Sequence, residues 1–282
     1  MMKRDTMSQL TEPTTRSFTG VTGDEIVVWR WPNPDATFVA VIAHGYGEHA
    51  RRYDHVAQRL IDEGAEVYAP DHFGHGRSGG QRVAVEVFDD FARDLDAVVD
   101  HAVTEHPGLP LVLIGHSMGG AIATRFVQLG GVRKIDALVL SGPYIGGNPD
   151  LQALALLDPI PDVPIDPAAL SRDPATGDAY AADDLVHHGP FLKATLLAIG
   201  SALDDIAAGP DVGTVPAIWL HGSDDVIAPY AHAEAAARHV IGADGQHIRY
   251  EGARHEIFNE INRDEVLGDM IVFIRASVPA LT

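Results

Sequence analysis

The chain of 282 residues contains no cysteine. Disulfide bonds, thiolate metal sites and a cysteine nucleophile are therefore excluded. Positive charge is also scarce: 20 lysines and arginines stand against 40 aspartates and glutamates, giving a formal net charge of −20. Nucleic-acid binding and purely electrostatic docking on anionic lipid both need clustered positive charge, so the composition argues against them. A neutral lipid surface, which apolar side chains would contact, stays open.

Long apolar runs are missing as well. No window of the sequence reaches the length of a membrane span. The N-terminal stretch MMKRDTMSQLTEPTTRSF has a basic start with no apolar segment behind it, so we expect no secretory signal. A cytoplasmic protein is the expectation, with membrane association left open. The first ten or so residues are expected to form a loose tail.

Short apolar strands alternate with helices along most of the chain. Continuous apolar runs such as Leu111–Gly115 and Ala137–Ser141 are typical of strands covered on both faces. Phe88–His106 carries its apolar residues on one helical face. The other predicted strands are Glu25–Trp31, Thr37–Ala43, Glu66–Pro70, Ala217–His221 and Ile248–Glu251, and the other predicted helices are Val56–Glu63, Pro229–Val240 and Val266–Ala276. This alternation predicts an α/β fold with a mostly parallel sheet and helices on both faces.

One region departs from this alternation. Between about Ile145 and Pro210 there is no clear buried strand, and apolar helical stretches flank a proline-rich segment. A connection of this length in a compact domain usually has a function. We therefore expect residues 145–210 to form a cap, or lid, inserted between an N-terminal core part, 1–144, and a C-terminal core part, 211–282. Its apolar stretch Leu151–Leu157 would pack inside the cap, cover an apolar ligand or contact a lipid surface.

The stretch LVLIGHSMGGAIATRF places Ser117 in a G-x-S-x-G motif between a predicted strand and a predicted helix. In a nucleophile elbow the chain turns sharply at the serine, and side chains two positions away would clash. Gly115 and Gly119 remove those side chains, and Gly120 allows close packing of the helix. The pentapeptide alone is a modest signal, but its position between strand and helix predicts a serine nucleophile.

A serine nucleophile needs a histidine base and a carboxylate that orients the base. In this type of fold the carboxylate and then the histidine follow the serine along the chain. Asp224 and Asp225 come directly after the predicted strand Ala217–His221, and His255 lies in the loop after the next strand. The order serine, aspartate, histidine is thus met, with the choice between the two aspartates open at this point.

Two backbone N–H groups are candidates for the oxyanion hole. The N–H of Met118 opens the helix after the nucleophile, and the N–H of Tyr46 follows an early strand. His44, at the end of that strand, is expected to make a structural hydrogen bond beneath the site.

Other motifs support binding functions only weakly. GHGRSG, residues 74–79, matches a dinucleotide-binding fingerprint, but no amphipathic helix follows it at once. The pairs His72 and His75, and His187 and His188, lack the carboxylates or the spacing of a metal site. We therefore expect no metal and no organic cofactor.

Taken together, several motifs resemble the monoacylglycerol lipases of the α/β-hydrolase superfamily, and the mycobacterial-type bacterial enzymes most of all. They are HGYGEHARRYDHVAQRL, DHFGHGRSGGQR, GHSMGG, SRDP with LVHHG, HGSDD and YEGARHEIFNE, and the likeness extends from about Arg16 to the C-terminus. The resemblance implies an α/β-hydrolase fold with a cap.

Carried over motif by motif, the resemblance implies a role for eight residues of this chain. The catalytic triad falls on Ser117, Asp225 and His255, the oxyanion donors on Tyr46 and Met118, and the glycerol-binding contacts on Glu48, Arg52 and Tyr180.

Three positions depart from the family pattern. Tyr46 is bulky for the oxyanion loop, the cap motif D-P-L reads D-D-L at Asp183–Leu185, and Phe258 replaces a polar residue of some relatives. These differences concern chain-length and head-group preference.

The expected function is hydrolysis of a monoacylglycerol to a fatty acid and glycerol through an acyl-enzyme on Ser117. A short-chain carboxylesterase, lysophospholipase, acyltransferase or amide hydrolase would use the same triad. A non-catalytic ligand-binding module on this fold would be expected to have lost part of the triad. The partner is thus a small lipid ester, and the oligomeric state is open.

Overall fold

The computed structural model describes residues 11–278, so the expected tail over the first ten residues lies outside them. Within this range eight strands form one sheet: β1 (Thr14–Thr19), β2 (Glu25–Trp31), β3 (Phe38–Ala43), β4 (Ala65–Pro70), β5 (Leu111–His116), β6 (Ala137–Ser141), β7 (Ala217–Gly222) and β8 (Gln246–Tyr250). Eight α-helices accompany them: α1 (Asp54–Ile61), α2 (Asp89–Glu105), α3 (Met118–Gln128), α4 (Pro149–Leu154), α5 (Pro174–Ala182), α6 (Lys193–Ala208), α7 (Tyr230–Ile241) and α8 (Arg263–Ser277).

The strand order in the sheet is β1-β2-β4-β3-β5-β6-β7-β8. β2 pairs antiparallel with both β1 and β4, and every pair from β4 to β8 is parallel. All residues of β3 to β7 are buried, as their continuous apolar sequences predict. Because parallel strands end on the same edge of the sheet, the loops after β3, β5, β7 and β8 lie close together there.

Helices cover both faces of the sheet, which confirms the predicted architecture. On one face, α1 and α8 pack against a core that includes Trp31, Phe38 and Phe258. On the other face, α2, α3, α6 and α7 pack against a core that includes Phe91, Phe126 and Trp219. The sheet is therefore a buried middle layer, and the strands with the most exposed residues are β1 and β8 at its two edges.

The segment expected to form the cap contains α4, α5, α6 and one turn of 3₁₀ helix at Pro167–Ala169. Its parts differ in burial: among the described residues of α4 none is buried, whereas α6 places Ala202 and Ile206 in the main core beside α3. The segment also exposes Leu156, Leu157 and Val163. Within residues 11–278, none of the helices combines the length and apolar character needed to cross a bilayer.

The predicted elements and the observed ones agree best in the interior. β5 and β6 and the long helix α2 lie within one residue of their predicted bounds. β8 begins two residues before its predicted start, because this strand is at the sheet edge and only Tyr250 in it is fully buried. β1 and α5 have no predicted counterpart, since β1 is mostly exposed and α5 carries no amphipathic pattern.

Thr195 attaches α6 to the core. Its side chain is fully buried, and its hydroxyl donates to the carbonyl of Val83 at 2.7 Å and accepts from the N–H of Val85 at 3.1 Å. Val83 has φ = +50°, a conformation that a β-branched residue rarely adopts. The two hydrogen bonds therefore hold a strained turn against the first turn of α6.

Replacing Thr195 by valine keeps the shape of the side chain but leaves a buried carbonyl and a buried N–H without partners. We expect Thr195→Val to lower the free energy of unfolding by about 2 kcal/mol in urea titrations. Thr104→Val, which removes an exposed hydroxyl bonded within α2, is the control and should change it by less than about 0.5 kcal/mol. Equal stability of the two variants would refute the role given to Thr195.

Four buried histidines lie near the edge of the sheet where the loops meet: His44, His72, His75 and His116. Burial, the largest cause in each case, lowers all four pKa values, to about 3 for His75 and about 4 for His116. These side chains are therefore neutral in the folded protein over a pH range in which they would be charged in the unfolded chain.

As the pH falls, the unfolded chain takes up these protons at a higher pH than the folded protein does. The contribution of the neutral histidines to the free energy of unfolding is therefore fully present above about pH 6.5 and is lost at lower pH. Each histidine contributes up to about 1.4 kcal/mol per pH unit in this range. We expect the free energy of unfolding to fall steeply between about pH 6.5 and 4.5, as measured by denaturant titration at several pH values. His75→Gln should lower this slope by up to about 1.4 kcal/mol per pH unit, whereas Thr104→Val, which removes no titratable group, should leave it unchanged. An unchanged slope in His75→Gln would contradict the assignment.

Candidate active site

Ser117 lies at the turn between β5 and α3. β5 ends at His116 and α3 begins at Met118, and Ser117 between them has φ = +53° and ψ = −120°. Positive φ is unfavourable for a residue with a Cβ. The turn is held by hydrogen bonds from the Ser117 N–H to the carbonyl of Ser141 at 3.0 Å and from the Tyr144 N–H to the Ser117 carbonyl at 2.9 Å.

Glycines allow the backbone segments around this turn to approach one another. A Cβ on Gly115 would overlap the carbonyl oxygen of Gly119, which agrees with the reason predicted from sequence. A Cβ on Gly119 would overlap the carbonyl oxygen of Ala43 at the end of β3. The absence of a side chain at Gly119 therefore also lets α3 begin directly beside the loop after β3. The sequence motif alone does not predict this second role.

The structure brings Ser117, His255 and Asp225 into one hydrogen-bonded chain. His255 Nε2 is 2.8 Å from Ser117 Oγ, and His255 Nδ1 is 2.7 Å from Asp225 Oδ2. All three side chains are buried. Asp224, the alternative from sequence, is exposed and accepts a hydrogen bond from Ser223. The geometry thus favours Asp225 as the partner of His255.

Asp225 is held as a carboxylate. Its Oδ1 accepts from the backbone N–H groups of Ile227 and Ala228 at 2.9 and 2.8 Å. Burial would raise the pKa of Asp225, but attraction to His255 and hydrogen bonds from His221 and His255 outweigh it and hold the pKa well below its usual range. A charged aspartate next to the imidazole favours its protonated form.

The pKa of His255 is raised by its contact with the charged Asp225. Burial alone would lower it, yet the charge of Asp225 and the hydrogen bond to it outweigh burial. His116, whose ring centre is 4.9 Å from that of His255, stays neutral because burial and the repulsion from His255 lower its pKa. His255 is therefore a base that can hold a proton taken from Ser117.

The two candidate oxyanion donors belong to residues that line one cavity with Ser117. Within residues 11–278, neither the N–H of Tyr46 nor that of Met118 donates a hydrogen bond to the protein. The loop that carries Tyr46 is fixed by Glu48, whose Oε1 accepts from the N–H of Gly45 at 2.6 Å. His44 Nε2 accepts from the N–H of His72, and His44 Nδ1 donates to the Gly45 carbonyl, so His44 has a structural contact, as expected.

Glu48 and Arg52 form a buried ionic cluster with Glu256. Arg52 Nη1 donates to Glu48 Oε2 at 2.6 Å and to Glu256 Oε1 at 2.7 Å, while its guanidinium lies 5.1 Å from the ring centre of Tyr180. Burial would raise the pKa of Glu48, but Arg52 and neighbouring histidines lower it to about 2. Sequence reasoning missed Glu256, whose only signal is its position directly after His255.

The loop that carries His255 is bonded to the cap. The N–H of Glu256 donates to the carbonyl of Leu170 at 2.7 Å, and Arg254 Nη1 donates to the carbonyl of Ser171 at 3.0 Å. Glu260 is buried and accepts from the N–H of Arg254 at 2.8 Å and from Arg172 Nε at 2.9 Å. One part of the cap is therefore held against the histidine loop.

The glycine-rich loop of residues 74–79 wraps around a carboxylate of the chain itself. A Cβ on Gly76 would overlap the carboxylate of Asp71, which accepts from the N–H of Arg77 at 2.9 Å and from Trp29 Nε1 at 3.0 Å. A loop built around a carboxylate does not suit a phosphate. The described part of the chain contains no group of three histidine, aspartate or glutamate side chains placed to hold a metal ion.

A cavity of about 280 Å³ opens onto Ser117 and His255. Its polar lining includes Glu48, Arg52, Tyr180 and Glu256, which meet around the Arg52 guanidinium. Its apolar lining comes mostly from the cap and the loop after β7: Leu151, Val163, Ile165, Leu170, Phe191, Leu196, Ile199, Leu203, Val226 and Ile227. The arrangement suits a ligand with one polar end and one apolar end.

The three departures from the family pattern have distinct surroundings. The ring of Tyr46 stacks on Phe191 of the cap with centres 5.0 Å apart. Asp183 Oδ2 lies 2.8 Å from His49 Nε2, so the D-D-L sequence connects the cap to the oxyanion loop. Phe258 is buried in the core beneath α1 and α8 and does not line the cavity.

Comparison with known proteins gives consistent matches. The family model described as serine aminopeptidase, S33, matches residues 33–262. The chain is 40% identical over 274 residues to the monoacylglycerol lipase of Mycolicibacterium smegmatis, covering 92% of this chain and 95% of that protein. It is 33% identical over 243 residues to the monoglyceride lipase of Homo sapiens, covering 82% of this chain and 80% of that protein.

Solved structures agree in fold. A soluble variant of monoglyceride lipase from Saccharomyces cerevisiae, in complex with a substrate analog, superposes with a TM-score of 0.81 at 22% identity, covering 96% of this chain and 97% of that one. At this identity the likeness bears on the fold alone. Together with the sequence matches it confirms the predicted α/β-hydrolase fold and the resemblance seen in the motifs. The chain belongs to the serine aminopeptidase S33 family of α/β-hydrolases and, within it, to the monoacylglycerol lipases.

Proposed function

We propose that this protein hydrolyses monoacylglycerols to a fatty acid and glycerol through an acyl-enzyme on Ser117. The observation that carries the proposal is the continuous contact from Ser117 Oγ to His255 Nε2 at 2.8 Å and from His255 Nδ1 to Asp225 Oδ2 at 2.7 Å. Nucleophile, base and orienting carboxylate are all within hydrogen-bond distance. Family membership supports the same reaction.

In the acylation step, Ser117 Oγ attacks the ester carbonyl as its proton passes to His255 Nε2. The negative charge that forms on the carbonyl oxygen is stabilised by the N–H groups of Tyr46 and Met118, each typically worth about a hundredfold or more in rate. His255 then gives its proton to the glycerol oxygen as the ester bond breaks. Asp225 holds the imidazole in the required tautomer and stabilises its positive charge.

Deacylation repeats the sequence with water as the nucleophile. His255 takes a proton from water, the hydroxide adds to the acyl carbonyl, and the proton returns to Ser117 Oγ as the fatty acid leaves. No metal or organic cofactor enters any step. The buried, charged Asp225 stays ionised throughout.

The polar and the apolar lining residues of the cavity fit the two parts of the substrate. The apolar lining suits the acyl chain, and Glu48, Arg52 and Tyr180 in the polar lining suit the glycerol hydroxyls. In this assignment residues 145–210 act as the cap, which supplies most of the apolar lining. The exposed Leu156, Leu157 and Val163 give the cap an apolar outer surface for transient contact with lipid.

Charge favours an uncharged head group over a phosphate. Among the described residues that line the cavity, four carry carboxylates and one carries a guanidinium: Glu48, Asp150, Asp166 and Glu256 against Arg52. Arg52 is already paired with two of these carboxylates. A phosphate would therefore be repelled, which argues against a lysophospholipase.

The decisive assay measures fatty-acid release from a monoacylglycerol, the matching di- and triacylglycerols, a short-chain ester and a lysophosphatidate with the same acyl chain. We expect the highest kcat/KM for the monoacylglycerol. The kcat/KM for the lysophosphatidate should be lower by a factor of about ten or more. Ser117→Ala should abolish release from each substrate. Serine-dependent cleavage of the short ester alone would assign a general carboxylesterase, and faster cleavage of the lysophosphatidate would overturn the charge argument.

The two neighbouring aspartates provide a matched pair of variants. Asp225→Asn leaves the fold in place but removes the charge that supports the protonated His255, so we expect kcat to fall by about three to four orders of magnitude. Asp224→Asn changes an exposed side chain of the same type and should leave kcat within about twofold of the wild type. The reverse ranking would exclude Asp225 as the third member of the triad.

A further inference from the structure

His221 is a buried histidine that touches the catalytic carboxylate, although it does not line the cavity. It lies in β7, four residues before Asp225, and is fully buried. Its Nε2 is 3.2 Å from Asp225 Oδ2 and 2.7 Å from the carbonyl oxygen of Ala228. Asp225 Oδ2 therefore faces two imidazoles, those of His255 and His221.

The proton on His221 is fixed by Trp219. Trp219 Nε1 lies 2.9 Å from His221 Nδ1, and an indole N–H can only donate. His221 Nδ1 is therefore an acceptor, so the single proton of the neutral ring is on Nε2. This Nε2–H points to the Ala228 carbonyl and to Asp225 Oδ2. A second proton on Nδ1 would break the contact with Trp219.

Trp219 itself has little freedom to move. Its indole stacks on the rings of Tyr230 and His247, with ring centres 4.9 and 4.7 Å away and planes inclined by 18° and 24°. Tyr230 Oη and His247 Nε2 are 2.8 Å apart, which links these two rings to each other. As alternate residues of a strand, Trp219 and His221 project to the same face of the sheet. The stack therefore directs the indole N–H at His221.

We propose that His221 is a positioning residue, which orients Asp225 and shares its negative charge through a tautomer set by Trp219. With two donors on Oδ2 and two backbone N–H groups on Oδ1, the carboxylate cannot rotate without breaking hydrogen bonds. A carboxylate that also accepts from His221 attracts the His255 proton less strongly than one that accepts from His255 alone. His221 thus keeps His255 able to release its proton to the leaving alcohol.

The substitutions at His221 and Trp219 leave the other titratable groups near this pair unchanged. These groups are His116 at the end of β5, Glu48 in the oxyanion loop, Glu256 beside His255, Tyr230 in α7 and His247 in β8. His221 and Trp219 do not line the cavity, so substitutions at these positions should change kcat and leave KM nearly unchanged.

The test compares His221→Leu, His221→Gln and Trp219→Phe in the full-length protein. Leucine removes the donor, glutamine can accept from Trp219 and donate to Asp225, and phenylalanine keeps the stack but removes the indole N–H. We expect His221→Leu to lower kcat about tenfold and to raise the midpoint of the acidic limb of kcat/KM by roughly 0.5–1 pH unit. His221→Gln should restore most of both values, and Trp219→Phe should fall between them.

Tyr230→Phe is the matched control, because it removes only the hydroxyl that contacts His247 Nε2 and leaves His221 and Trp219 in place. It should leave the acidic limb unchanged. If His221→Leu does not fold, Trp219→Phe alone decides the question. An unchanged acidic limb in both Trp219→Phe and His221→Leu, or a His221→Gln variant as impaired as His221→Leu, would overturn the proposal.

Because this inference rests on the proposed ester hydrolysis, it also needs a measurement that does not depend on turnover. Nitrogen-15 NMR of labelled histidine in the wild-type protein should show His221 with an unprotonated Nδ1 and a protonated Nε2. The Nδ1–H resonance of His255 should shift in Trp219→Phe. A wild-type protein that cleaves no ester would refute the proposed function, whereas a protonated His221 Nδ1 would refute this inference alone.

Discussion

The start of α3 lies directly against the end of β3, and the rest of the site depends on this contact. A side chain at Gly119 would meet the carbonyl oxygen of Ala43, so only glycine permits the approach. Tyr46 and Met118 both line the cavity that opens onto Ser117. The two candidate oxyanion donors thus come from backbone segments that are far apart in sequence and adjacent in the fold. The parallel sheet makes the juxtaposition durable, because β3 and β5 are adjacent buried strands.

Burial of so many ionisable groups at one edge of the sheet is tolerated because each of the main ones has partners. Glu48 accepts three hydrogen bonds, from Gly45, Arg52 and Tyr53. Glu260 is likewise surrounded by donors, although it lies outside the cavity. Carboxylates of this kind hold the surrounding loops in place by accepting hydrogen bonds from their backbone N–H groups. The low polarity of the surroundings then strengthens each charge interaction, including the one between Asp225 and His255.

The sequence was sufficient for those features that depend on local pattern and chain order. The motif around Ser117 marks it as the candidate nucleophile, and continuous apolar strands predict the buried parallel sheet. The role of Glu256 was not predictable, because it depends on a contact with Arg52, 204 residues away in sequence. The role of His221 was not predictable either, because it depends on the direction in which the Trp219 indole N–H points. The choice of Asp225 over Asp224 required either a family motif or knowledge of which side chain faces inward. α5 was missed because its sequence has no amphipathic pattern.

The hydrogen bonds between the histidine loop and residues 170–172 restrict how the cap can move. Displacing residues 170–172 would break their hydrogen bonds to Arg254, Glu256 and Glu260, which flank His255 in the sequence. Displacing α4 disturbs far less, since none of its described residues is buried. Residues 145–210 are thus fixed unevenly: residues 170–172 are bonded to the loop of His255, whereas α4 has none of its described residues buried. The alignment of His255 with Ser117 therefore depends on contacts outside the sheet as well as on the sheet itself.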